Sequence, residues 1–265
     1  MVVLKQFGIL FVLGSLGIVL LAFTSIPLAR QQLAALPPEI AAELPPLPIL
    51  ILQQGLQIVV LLAIAILIGI ACTRPVGLHS HLLDAWVLHT PKLTAFTAEL
   101  KWSLGLGAAT TVIVWIIDYG MNPLLPEALR MAKQAEPHGL TTLTAILYGG
   151  ITEEILIRWG LMSLLIWGGW KLLRQGITLP SQGIYQGAIA VTAVIFGLGH
   201  LPATATIAPL TPWVILRAIL LNGIPGIAYG WLFWQYSLEA AMIAHASFHV
   251  WDFCLNSVLT RLVAR

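Results

Sequence analysis

The sequence predicts an all-α, multi-pass transmembrane bundle, and three observations carry that prediction. Of 265 residues, 58% are hydrophobic and only 9% are charged, whereas a water-facing domain carries about 25% charged residues. Mean hydropathy is +0.91. The apolar residues also gather in runs long enough for spans of ~20 residues. Membrane lipids are the expected surroundings. A formal net charge of +2 with no basic cluster excludes nucleic acid as a partner.

The elements follow in order. An apolar run from Phe7 to Leu28 comes after Lys5. It exceeds the ~7–15-residue apolar core of a signal peptide and is expected as a retained first span. The segment Ala29 to Pro48 holds Pro37, Pro38, Pro45, Pro46 and Pro48. These prolines break any helix joining spans one and two. Further spans are expected at Ile49 to Cys72, Trp102 to Tyr119, Thr142 to Trp167, Gly183 to Ala203, Trp213 to Trp234 and Leu238 to Cys254. That makes seven spans, or eight if a connecting segment re-enters. Residues 1–265 read as a single integral domain of a cell or internal membrane, with no internal repeat.

Charge sets an orientation only in part. The segment Thr73 to Lys101 contains Arg74, Lys92 and Lys101, and Lys171 and Arg174 follow span four. Placing these with Lys5 in the cytoplasm satisfies the positive-inside tendency. Arg261 and Arg265 then fall on the opposite side, against it. His79, His81 and His89 lie in the same polar segment and are expected to be solvated. Cys72 and Cys254 sit in apolar runs without disulfide or zinc spacing, and are expected to be packing residues.

Function points to the few ionisable groups at membrane depth, each of which costs several kcal/mol to keep there. Span four reads Leu147-Tyr-Gly-Gly-Ile-Thr-Glu-Glu-Ile-Leu-Ile-Arg-Trp-Gly-Leu. On an α-helix Glu154 and Arg158 share a face at i, i+4. Glu153 is rotated by ~100° from its neighbour and looks elsewhere. The expected division of labour is Glu154 neutralised by Arg158 and Glu153 free for chemistry. A desolvated carboxylate is a stronger base than one in water, and so suits proton abstraction near neutral pH.

Two further elements follow. Phe196 and His200 lie one turn apart in Phe-Gly-Leu-Gly-His, before Pro202, which is expected to end or kink span five. His245, His249 and Asp252 follow at i, i+4 and i+7 and can line one stripe. A water between Glu153 and His200, with His245 and His249 as donors to an oxyanion, would suit attack on a peptide carbonyl. Glu153, His200 and His245 can equally ligate a divalent metal such as zinc or manganese. The residue types leave both schemes open. There is no HExxH, GxGD or GxSG signature of other membrane proteases. A transporter with a proton relay uses the same residue types. Phe196, Phe248 and Trp251 are expected to be ordinary span packing rather than a lipid groove.

In order and spacing, Glu153-Glu154-xxx-Arg158, Phe196-xxx-His200 and His245-xxx-His249 resemble the motifs of the CPBP intramembrane proteases, the CAAX protease and bacteriocin-processing (Abi) family. The run from Asn222-Gly223 through Gly226 and Gly230 to Ser237-Leu-Glu-Ala-Ala-Met-Ile-Ala-His245 is similar to that family's approach to its last motif. The resemblance spans Leu140 to Asp252. It implies a membrane endopeptidase acting on a peptide or lipidated peptide, with the site in a cavity open toward one membrane face. Glu153 and His200 would activate water, Glu154 and Arg158 would support them, and His245 would stabilise the transition state. The family is described both as metal-dependent and as glutamate-dependent. His249 stands where the family's last motif usually ends in Asn or Asp, and Asp252 lies one turn further. The alternatives are a non-catalytic immunity or scaffold protein of the same fold, and a proton-coupled transporter.

Overall fold

A backbone in lipid must satisfy its own amides and carbonyls, which favours helices. A computed structural model describes residues 1–90, 93–132, 139–173 and 179–263, and these are helical without a single strand. Lys92, Arg174 and Arg265, used above to orient the chain, lie outside the described residues.

The N-terminal run forms α1 (Val2–Thr24) and, after a break at Ser25, α2 (Ile26–Ala34). Short α3 (Pro38–Glu43) and long α4 (Leu47–Cys72) each start just after a proline. Proline's fixed φ suits a helix's first turn and stops the preceding helix. Then come α5 (His81–Trp86), α6 (Leu93–Met121) and α7 (Glu127–Ala132). The glutamate-bearing span opens as α8 (Gly139–Thr144) and closes as α9 (Ser163–Leu172). Its middle is π-helical over Ala145–Glu153 and Ile155–Met162. Next are α10 (Gln182–Gly199), α11 (Leu201–Ala205), α12 (Pro212–Gln235) and α13 (Leu238–Val263).

Among the described residues, six helical stretches are long and apolar enough to cross a membrane: Val2–Ala34, Leu47–Cys72, Phe96–Leu124, Gly139–Leu172, Gln182–Ala205 and Pro212–Gln235. This makes the chain an integral multi-pass membrane protein with fewer spans than the expected seven or eight. The difference lies at α13. It is 26 residues long, but Glu239, His245, His249 and Asp252 leave it less apolar than its neighbours. It is held by protein rather than by lipid alone, packing along α6, α12 and the π-helical span.

That π-helical span is the axis of the bundle, contacted by α1, α4, α10, α12 and α13. Leu10, Leu62, Ile66, Ile155, Met162 and Phe233 are buried around it. Thr152 pins α1 to it by donating to the Gly14 carbonyl at 2.7 Å. Gly150 allows α13 to approach, since a Cβ there would lie 2.9 Å from Ala246 Cβ.

A second polar group fixes the start of α13. Glu99 on α6 accepts from Ser237 Oγ at 2.7 Å and pairs with His81 Nε2 at 2.8 Å. Glu239 accepts from the backbone N–H groups of His81 and Leu82 and from Ser80 Oγ. His81 is therefore buried rather than solvated, because a carboxylate on α6 supplies the partner that water would have given. His79 is half-buried and His89 exposed. Cys72 is buried as expected; Cys254 is exposed on α13, and both are free thiols.

Candidate active site

The π-helical turns present both glutamates inward, to different neighbours. π-helical turns are rare and frequently stand at functional sites. Glu154 is fully buried and accepts from His245 Nδ1 at 2.8 Å through Oε1. Its Oε2 forms an ion pair with Arg158 Nε at 3.2 Å. This contact is not aligned as a hydrogen bond, and Arg158 Nη1 has no hydrogen-bond partner among the described residues. Other contacts hold the guanidinium. Nη2 donates to the Gly226 carbonyl at 3.1 Å, and the rings of Phe196 and Tyr229 lie 5.0 and 5.6 Å from its carbon. Ring faces attract a cation most strongly where water is excluded.

Glu153, by contrast, is half-buried and has no hydrogen bond or ion pair among the described residues. It lines a cavity of about 540 Å³ together with His200, His245, His249 and Phe196. A groove of about 550 Å³ between α1, α2 and α4 holds no carboxylate or imidazole, so the first cavity is the one equipped for chemistry.

Helix ends and ring contacts set the histidines. His200 terminates α10 at the junction with α11, where Pro202 occupies the new helix's first turn, as its position predicted. Its Nδ1 donates to the Phe196 carbonyl at 2.7 Å, and its ring meets Phe196 edge-on at 4.8 Å. A carbonyl only accepts, so Nδ1 carries the proton and Nε2 is left as an acceptor. His245 stacks on Tyr229 at 4.7 Å and lies 5.0 Å from His249, ring to ring. Both turn Nε2 toward Gly149, where a Cβ would come within 3.1 Å of His245 Nε2 and 2.7 Å of His249 Nε2. Glycine at 149 is what lets the two imidazoles sit against the π-helical backbone.

Seven of the eight residues singled out from sequence thus converge: Glu153, Glu154, Arg158, Phe196, His200, His245 and His249. Asp252 does not join them. Its Oδ1 accepts from Trp115 Nε1 of α6 at 2.7 Å, two helical turns beyond His245. Phe248 lines the cavity, while Trp251 is largely exposed. Sequence reading missed Tyr229, which carries no charge to announce it, and the ion pair of Arg217 with Asp118 at 2.6 Å. Arg217 is an ionisable group inside an apolar run, the same signal that marked Glu153.

A metal was expected as one option, on Glu153, His200 and His245. The outer nitrogens fit a ligand role, since both imidazoles have Nδ1 bonded to a carbonyl or carboxylate. The spacing does not fit: no three His, Cys, Asp or Glu side chains among the described residues stand close enough to hold one ion.

No curated protein matches the chain, and no solved structure matches it. Residues 136–251 match the family model described as type II CAAX prenyl endopeptidase Rce1-like. The matched segment begins just before α8 and ends within α13, enclosing every residue of the converged cluster. That family is a protease family, which supports a membrane hydrolase of the CAAX endopeptidase type. Residues 136–251 of this chain are thus similar to the CAAX-type intramembrane proteases.

Proposed function

We propose that the chain is an intramembrane endopeptidase that hydrolyses a peptide bond of a lipidated or leader-type peptide, with Glu153 and His200 activating the attacking water. The observation that supports it best is an unpaired carboxylate in a cavity beside an imidazole whose Nε2 is held as an acceptor. A water between the two donates one hydrogen to each; it gives one proton to Glu153 as its oxygen attacks the carbonyl, and that proton passes to the amine nitrogen as the C–N bond breaks. General-base assistance of this kind contributes about 10²–10⁴-fold.

Glu154 and Arg158 play a different part. Glu154 holds His245 by Nδ1, as a carboxylate orients a catalytic imidazole. With a proton on Nε2 as well, His245 would donate to the developing oxyanion. His249, beside the same glycine, supplies a second donor. It replaces the Asn or Asp usual at the end of the motif with a longer side chain, and the absence of a side chain at Gly149 gives it room.

The scaffold and transporter readings predict other behaviour. In purified proteoliposomes, wild type is expected to cut membrane-tethered prenylated or leader-type peptides, and Glu153→Gln to leave them whole. Chelator is expected to leave the rate unchanged; loss of activity restored by zinc would move water activation to a metal. Correctly folded wild type that cuts none of these peptides, or that takes up solute in a Glu153-dependent way, would overturn the reading.

A further inference from the structure

We propose that Arg217 anchors the C-terminal carboxylate of the peptide substrate and thereby selects which bond reaches Glu153. The assignment rests on the endopeptidase reading above. Among the described residues, Arg217 is the one Arg or Lys lining the catalytic cavity, as Glu153 is its one carboxylate. Its side chain is 18% exposed. Asp118 on α6 holds it by Nε alone, and neither Nη1 nor Nη2 has a hydrogen bond among the described residues. Asp118 thus holds the guanidinium at the cavity wall. The free Nη1/Nη2 edge is the fork that binds a carboxylate with two parallel hydrogen bonds.

Distance along α12 sets the register. Gly226, whose carbonyl holds Arg158, marks the level of the Glu154 cluster. Arg217 lies nine residues earlier in α12, about 13 Å along the axis at ~1.5 Å per residue. An extended peptide covers that distance in about four residues. Both side chains line the cavity, so on this register the bond at Glu153 lies about four residues from the substrate's C-terminus. Arg217 would make the protein a processor of chain ends, unable to select internal bonds of a long loop by the same contact.

The test measures binding separately from cleavage. The probe is one prenylated peptide ending in a C-a-a-X sequence, made as the free acid and as the C-terminal amide. Affinity for each is measured by fluorescence anisotropy with full-length Glu153→Gln in zwitterionic nanodiscs. The acid is expected to bind at least about tenfold more tightly, the difference one charge-assisted contact supplies. Adding Arg217→Gln should bring the acid down to the amide's affinity, and Arg217→Lys should keep part of the preference. Equal affinity for acid and amide with Arg217 intact, or a preference that survives Arg217→Gln, overturns the proposal. If Arg217→Gln does not fold, the comparison with Arg217 intact and the Lys variant still decides. Wild-type cleavage separates the two claims. Acid and amide cut at equal rates would sink the anchor and leave the endopeptidase; an acid preference in binding without any scission would do the reverse.

Discussion

Adjacent glutamates should fail in opposite ways. Glu154→Gln keeps the shape of the side chain and still offers His245 an acceptor, but removes the carboxylate paired with Arg158, whose side chain is 1% exposed. A buried charge left without its partner costs about 3–5 kcal/mol. At about 2–4 °C per kcal/mol for a chain of this order of size, the midpoint of thermal unfolding falls by roughly 6–20 °C. Glu153→Gln breaks no pair, and its stability should stay within about 0.5 kcal/mol of wild type. Thermal unfolding in detergent, followed by tryptophan fluorescence, measures both. Replacing the pair together, Glu154→Gln with Arg158→Met, should recover much of the loss, because no uncompensated charge remains. Equal melting of the two single variants would refute the division of roles, as would a Glu154→Gln that melts like wild type.

Three further outcomes follow from the same geometry. Gly149→Ala puts a methyl group 2.7 Å from His249 Nε2 and 3.1 Å from His245 Nε2; overpacking of this kind costs about 1–3 kcal/mol, and cleavage should fall far more than stability. Asp252→Ala removes the acceptor of Trp115 Nε1, so the midpoint should drop by the worth of a charged hydrogen bond, about 1.5–3 kcal/mol, while kcat measured on the folded protein stays at the wild-type value. Glu99→Ala strips the shared partner of His81 and Ser237 and loosens the start of α13; thermal unfolding should show a loss of at least about 2 kcal/mol, with no change in which peptide bond is cut, as mass spectrometry of the products would report.

Much of the site was legible because charge in an apolar span is conspicuous. Glu153, Glu154, Arg158, His200, His245 and His249 all stood out on that ground, and Pro202 marked the helix end that places His200. The rest depended on partners distant in sequence. Asp252 lies on the stripe of His245 and His249, yet it stands two turns beyond His245, about 10 Å along the axis, where Trp115 takes its carboxylate. Nothing in the segment around His81 reveals that Glu99 will bury it. Hydropathy counted α13 as a span, but cannot tell a helix held by lipid from one held by α6 and α12. The π-helical turns left no pattern in the residues, and they decide how the two glutamates divide between cavity and core. Asp118 and Arg217 neutralise one another across 99 positions, so neither announces the other.

The central claim is that Glu153 supplies the base for peptide hydrolysis, and the cleavage rate of wild type beside Glu153→Gln in one nanodisc preparation tests it most directly. The account predicts a fall in kcat of at least about 100-fold, with KM and the thermal midpoint unchanged. A Glu153→Gln variant that cuts the same bond at near the wild-type rate would contradict it.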